Sequence, residues 1–300
     1  MYLAVNCISY KNALQLIEMG VEHIYVGIKN FSNRTYALTF DEISDLANKY
    51  NNNIVIVLNK IYFENEIKDL EKLLLDLNKT KVFGIAFSDY AVNQILFENN
   101  LLERFYLIYN PDTLVSNYQQ FPFYSKNGIK EVSLPREINK NSIKTFGLNK
   151  QGMKMQLQVC GYQFMMDSRW NLLSNFKTSY DLKFETTGKK FLKELKRDMP
   201  FIINEDESGT HIYTAYNLNL LSKINELKSF NIDTIRIDSY LHSEEWIISM
   251  AKIFLEQINS TKQLELINDF NEKQSIGFYD SNPNDMLYLD TNAKIEETKG

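Results

Sequence analysis

The chain has 300 residues, 44% hydrophobic and 24% charged, which supplies a sizeable core and excludes an intrinsically disordered protein. Its formal charge of −5 opposes holding nucleic acid by bulk electrostatics, although a local basic patch remains open. Its two cysteines, Cys7 and Cys160, exclude a disulfide scaffold or a four-thiolate metal site within the chain.

The first strand is expected at Tyr2–Cys7, followed by a helix in "YKNALQLIEMG" that stops at Gly20. His23–Ile28 reads as the second strand. "TFDEISDLANKY" opens with Thr39 three residues before Glu42, a capping-box pattern. Asn53–Asn59 is a continuous β-branched run, as in a strand buried on both faces. Glu64–Leu77 is a helix with one leucine-rich face. Val82–Ser88 is a strand and Asp89–Glu98 a helix; Arg104–Asn110 is a strand and Thr113–Ser125 a weaker helix. Ile129–Pro135 is a strand, Asn141–Phe146 a short helix and Met153–Gly161 the seventh strand. The last unit has a periodic helix in "NLNLLSKINELKSF", a strand at Thr234–Tyr240 and a helix in "SEEWIISMAKIFLEQI".

Eight strand–helix alternations predict an α/β protein, a (β/α)8 TIM-like barrel over residues 1–262. An insertion of about 163–215 lies between strand seven and helix seven, and 263–300 form a C-terminal tail that docks on the barrel or on another chain. The alternative is a doubly wound open sheet. No G-x-G-x-x-G and no phosphate-binding G-x-x-x-x-G-K-[ST] occurs. The opening "MYLAVNCISY" lacks a secretory pattern, and no apolar run reaches the ~20 residues of a membrane span. A cytoplasmic location is expected.

In a barrel, function sits where the strands end. Those ends carry Asn6, Cys7, Asn59, Asp89, Asn110 and Asp238. Just past them lie Arg34, Arg136 with Glu137, and Gln163. Asp89 precedes a helix and is expected to cap it. No H-E-x-x-H and no G-x-S-x-G is present. Among the three histidines, His23 is expected to be structural and His242 a cap or surface residue. His211 stands near Glu205, Asp206 and Glu207. These could form a metal site, but the favoured reading is a β-hairpin turning at Ser208–Gly209 with solvated acids. "KKFLKELKR" (Lys189–Arg197) is expected to be a helix with a solvated basic face; contact with RNA phosphate is the sharper reading.

The segments "GVEHIYVGIKNFSNR", "VIVLN", "EVSLPREIN", "VCGYQFMMDSRWNLLSN", "INEDESGTHIYTAYNLNLL" and "IDTIRIDSYLHSEEW" occur in an order and spacing that resemble peptidase family U32, the collagenase-like proteases. The likeness runs over about residues 1–258, and is strongest to short Gram-positive members. The resemblance implies an oxygen-independent hydroxylation role: formation of 5-hydroxyuridine at the tRNA wobble position, with prephenate as a required metabolite and a longer cluster-bearing U32 paralogue as partner. The family name implies a peptidase instead; a non-catalytic partner subunit is the third possibility. Many members hold a [4Fe–4S] cluster on four cysteines. Here the corresponding positions carry Phe164, Asn171 and Asn219, so no cluster is expected to be bound through cysteines. Residues expected to line the pocket are Arg34, Asn59, Arg136, Glu137, Gln163, Arg169 and Asp238, the arginines gripping an anionic metabolite or phosphate.

Overall fold

The computed structural model describes residues 1–50, 53–186, 188–193, 200–264 and 272–282. Seven strands follow in order: β1 (Tyr2–Asn6), β2 (His23–Ile28), β3 (Ile54–Leu58), β4 (Gly84–Phe87), β5 (Tyr106–Tyr109), β6 (Ile129–Leu134) and β7 (Lys154–Ser168). An excursion then carries β8 (Lys190–Leu192), β9 (Phe201–Asp206) and β10 (Gly209–Asn219), and β11 (Thr234–Ile237) returns to the barrel. β1 to β7 pair in parallel, each with the next, and β11 pairs with both β1 and β7, which closes an eight-stranded barrel.

The helices between these strands are α1 (Tyr10–Glu18), α2 (Phe40–Lys49), α3 (Ile67–Leu77), α4 (Tyr90–Glu98), α5 (Phe121–Lys126) and α6 (Lys140–Leu148). After β7 come α7 (Leu172–Ser179), α8 (Ile224–Ser229) and α9 (Glu244–Asn259). Their starts follow from local chemistry. Ser9, Asp89, Asn139 and Ser243 accept backbone N–H groups as N-caps, and Thr39 with Glu42 completes the expected capping box.

The main core lies between the sheet and the helices: Leu3, Ile24, Ile56, Phe87, Leu107 and Phe254 are fully or almost fully buried there. The inward faces form a smaller apolar cluster of Ala4, Tyr25, Val55, Val57, Ala86 and Ile108. A polar column continues it. Glu131, Gln156 and Arg236 are all buried, with Tyr106 donating to Glu131 at 2.7 Å and Gln156 to the Tyr25 oxygen at 2.6 Å. Burial raises the Glu131 carboxyl, so it favours its protonated form.

Several expectations need correction. Strand seven does not break at Gly161. It runs on to Ser168, because antiparallel β10 takes over its hydrogen bonding above the barrel rim. Gly161 is the bend: its φ is +101°, and a Cβ there would sit 2.0 Å from the Asp238 carbonyl oxygen. The insertion is thus an antiparallel sheet of β7, β10, β9 and β8 rising from the mouth, with α7 against it. "NLNLLSKINELKSF" is helical only from Leu221: Asn217–Asn219 belong to β10, and Asn219 caps the Leu221 N–H at 3.0 Å. The helix expected over Lys189–Arg197 is a strand at Lys190–Leu192, paired with Phe201–Ile203; residues 194–199 lie outside the described residues. The weak helix over Thr113–Ser125 shrinks to Phe121–Lys126, where Pro122 suits the first turn. His242 is neither a cap nor on the surface. It is buried, stacked between Tyr162 at 4.6 Å and Trp246 at 3.6 Å. Of the tail, residues 272–282 lie on the barrel: Gln274–Ser275 pair in parallel with Asn217–Leu218 of β10, Tyr279 is buried, and Asp280 pairs with Lys140 and Lys223. No described helix is long and apolar enough to cross a membrane.

Candidate functional site at the barrel mouth

The loop after β2 delivers Arg34 into the mouth. Its φ of +53° turns the chain inward, and its side chain is 7% exposed. The guanidinium pairs with Asp112 at 2.9 Å, donates to the Asn59 carbonyl at 3.1 Å and to the Asn33 side chain at 3.1 Å, and lies 3.6 Å over the Phe164 ring. Asn59 completes the loop by accepting the Asn33 N–H at 3.0 Å. From the other side, Arg136 donates to the Phe164 carbonyl and pairs with Glu137 at 2.9 Å. Gln163 is buried; its N–H donates to Thr214, and its Oε1 has no hydrogen-bond partner among the described residues. From below, Arg236 reaches Asp238 at 3.0 Å and Asn6 at 3.4 Å. Burial raises the Asp238 carboxyl despite the opposing pull of Arg236.

Of the expected site residues, Arg34, Arg136 and Gln163 gather around Phe164; Asn59 joins them through Arg34, Glu137 through Arg136, and Asp238 through Arg236. Arg169 stands apart. It is 40% exposed, pairs with Glu66 at 3.2 Å and covers the Phe63 ring at 3.9 Å, on the outer side of the rim. The space left between Asn110, Asp112, Arg136, Gln163, Phe164 and Arg236 is about 20 Å³, room for about one water. Each arginine at the mouth already faces a carboxylate, so the charge there is balanced rather than positive.

Sequence reasoning missed the polar centre beside this mouth. The expected hairpin forms, but it turns one residue earlier, at Glu207–Ser208 with Gly209 paired to Asp206, and its acids are not all solvated. His211 is fully buried, with Nδ1 2.7 Å from Asp167 and Nε2 3.1 Å from Asp206. Two carboxylate acceptors, one on each ring nitrogen, favour the doubly protonated imidazolium. Burial opposes that charge, but the hydrogen bonds that the ring donates to Asp167 and Asp206 outweigh it and raise the His211 pKa. Asp206 shifts the other way: burial is overcome by His211 and Ser208, and its pKa falls far below the usual range. Tyr240 donates to Asp206 at 3.1 Å, and Asn33 to Asp167 at 3.4 Å. The imidazolium thus ties the excursion to the loops after β2 and β11. Glu205 has a third role: it accepts the N–H groups of Leu173 and Ser174 and anchors the start of α7. Glu207 alone of the three acids is exposed.

The register signals Asp167. It lies directly opposite His211 once β7 is extended past Gly161. Arg236 was legible from the two-residue period of "RID", which points it inward with Asp238.

An iron–sulfur cluster does not fit these residues. Phe164 lies opposite Tyr213, whereas Asn219 lies opposite Cys160, four residues or roughly 13 Å lower on β7. Asn171 stands at the start of α7. Both thiols are buried, which pushes Cys7 up to about 12 and Cys160 higher still, against the thiolate that a metal needs.

Comparison with known proteins adds names to this geometry. Residues 8–286 match the family model described as Peptidase family U32. The chain is 24% identical to tRNA hydroxylation protein P2 of Bacillus subtilis, over 92% of this chain and 96% of that protein. It is 21% identical to tRNA hydroxylation protein P of Helicobacter pylori, over 88% of this chain and 67% of that protein. Among solved structures, the U32 peptidase Mk0906 superposes with a TM-score of 0.49 at 11% identity, over 79% of this chain and 92% of that one.

Proposed function

This chain belongs to peptidase family U32, and from that premise we propose that it acts in tRNA hydroxylation, at C5 of the wobble uridine, alongside a longer U32 paralogue. The observation that carries this reading is the near end-to-end likeness to a protein named for tRNA hydroxylation, 96% of which it covers. The site supports a division of labour. The two buried thiols cannot hold a four-cysteine cluster, so the paralogue supplies that centre. Prephenate, a dianion, gains little from a mouth where Arg34, Arg136 and Arg236 already face Asp112, Glu137 and Asp238. We place that metabolite on the paralogue as well, and read this chain as the subunit that positions RNA and partner. The test is mass spectrometry of tRNA nucleosides from a strain lacking this gene. Loss of 5-hydroxyuridine is expected; an unchanged level refutes the reading.

A second reading, a peptidase, is favoured by one observation. Ser208 Oγ lies 3.0 Å from His211 Nε2, and His211 Nδ1 lies 2.7 Å from Asp167, the spacing of a nucleophile, its base and an orienting acid. Asp206 opposes it. Its carboxylate takes the Ser208 hydroxyl at 2.5 Å and holds Nε2 protonated, so the ring cannot accept the serine proton. Gelatin cleavage by the purified protein, abolished by Ser208→Ala, would reverse this ranking.

A further inference from the structure

The excursion carries a surface that neither the mouth nor the histidine clamp uses. Of the two tryptophans, Trp246 is buried, whereas Trp170 is 73% exposed. Phe176, Tyr180 and Phe191 are also more than half exposed, and the Phe176 and Tyr180 rings lie 4.9 Å apart, tilted by 48°. Leaving such rings in water forgoes the favourable transfer of large apolar surface that burial supplies. The same segment is basic. From Arg169 to Lys193 the sequence carries six cations and two carboxylates. Arg169 pairs with Glu66 and Lys189 with Glu272, which leaves Lys177, Lys183, Lys190 and Lys193 against Asp181 and Glu185, a local excess of two positive charges in a chain whose total is −5. Lys183 and Lys193 are exposed, and Lys177 lies 5.9 Å over the Phe184 ring.

Two kinds of occupant have matching chemistry. A protein partner would cover the aromatics, but lysine is depleted at the centres of protein interfaces, and five of the six cations here are lysines. Unpaired RNA offers both halves at once: bases that stack on exposed rings and phosphates that pair with flexible ammonium groups. A locally positive face on a negative protein also steers a polyanion to one place and repels it elsewhere.

We propose that the exposed side chains of the excursion, Trp170, Phe176, Tyr180, Lys183, Phe191 and Lys193, bind single-stranded RNA, with Trp170 as a base-stacking platform and Lys183 and Lys193 as phosphate contacts. In the tRNA reading above, on which this assignment rests, the RNA is the anticodon loop. The α7 start is fixed by Glu205 and the Trp170 carbonyl by Thr210 at 2.9 Å, so the platform is held on the sheet.

The test is fluorescence anisotropy of the full chain with a labelled anticodon stem-loop RNA, and with a blunt RNA duplex of equal length, across a salt series. The stem-loop is expected to bind more tightly than the duplex. Trp170→Ala is expected to weaken it about fivefold or more. Lys183→Glu with Lys193→Glu is expected to flatten the salt dependence by about 1.4, the loss of two phosphate contacts. Because these side chains are exposed, unchanged thermal midpoints confirm that each variant is folded. Wild-type protein that does not bind the stem-loop, or variants that bind it as wild type does, overturn the assignment. So does a variant that loses co-purification with the paralogue while RNA binding persists, which makes the face a protein interface. If binding depends on Trp170 but a deletion strain keeps its 5-hydroxyuridine, the surface stands and the tRNA hydroxylation reading fails.

Discussion

Replacing His211 by alanine probes the polar centre directly. The ring is fully buried and makes charge-assisted hydrogen bonds to Asp167 and Asp206. Each such bond is worth about 1.5–3 kcal/mol. The carboxylates are 27% and 34% exposed and can partly rehydrate, which lowers the cost to about 2–3 kcal/mol in all. For a domain of this size that is a fall of roughly 3–5 °C in thermal midpoint. The pH dependence carries a sign. The folded pKa of His211 lies above its ordinary 6.5, so its contribution is complete below that value and fades as pH rises through the folded pKa. Urea unfolding of wild type and His211→Ala should therefore differ more at pH 6 than at pH 9. Asp206, whose pKa is depressed, contributes above its ordinary 3.8 and loses that contribution as pH falls. A cycle with Asp206→Asn should return a coupling of about 1 kcal/mol or more at pH 6. A cost below about 0.5 kcal/mol, or one equal at both pH values, would refute the imidazolium clamp.

Gly161→Ala should destabilise by more than about 3 kcal/mol or abolish soluble expression, since its Cβ would collide with the Asp238 carbonyl oxygen; Gly188→Ala, with positive φ but open space, should cost about 1 kcal/mol in the same denaturation assay. Glu131→Gln should make the protein more stable than wild type at pH 7, because the buried carboxyl resists ionisation. The difference should vanish below pH 4, as differential scanning calorimetry across that range would reveal. Arg34→Lys should cost about 2 kcal/mol by chemical unfolding, because one ammonium cannot pair with Asp112, reach the Asn59 carbonyl and cover Phe164 together.

The barrel was legible because its strands are short β-branched runs and its helices start on side-chain caps, both local signals. Ile54–Leu58 is buried along its whole length, as its composition required, and Thr39 with Glu42 forms the cap that its spacing announced. The excursion was not legible, for a physical reason. Its strands pair antiparallel over long sequence separations, and Gly161 looks like a terminator although it is a bend inside one strand. That misreading moved Asp167 into a loop and hid its register with His211. Arg34, Arg136 and Asp238 could be assigned to one end from strand ends alone. That Arg34 meets a carboxylate depends on Asp112, far along the chain, which only the packed barrel brings to it. Trp170 had no periodic context to give it a face.

The most direct measurement is the 5-hydroxyuridine content of tRNA from a strain deleted for this gene, complemented with wild type or with Ser208→Ala. Deletion should remove the modified nucleoside, and both complements should restore it fully. Full modification without the gene, or restoration by wild type but not by the serine variant, would contradict the assignment of this chain to RNA hydroxylation by a route that needs no serine nucleophile.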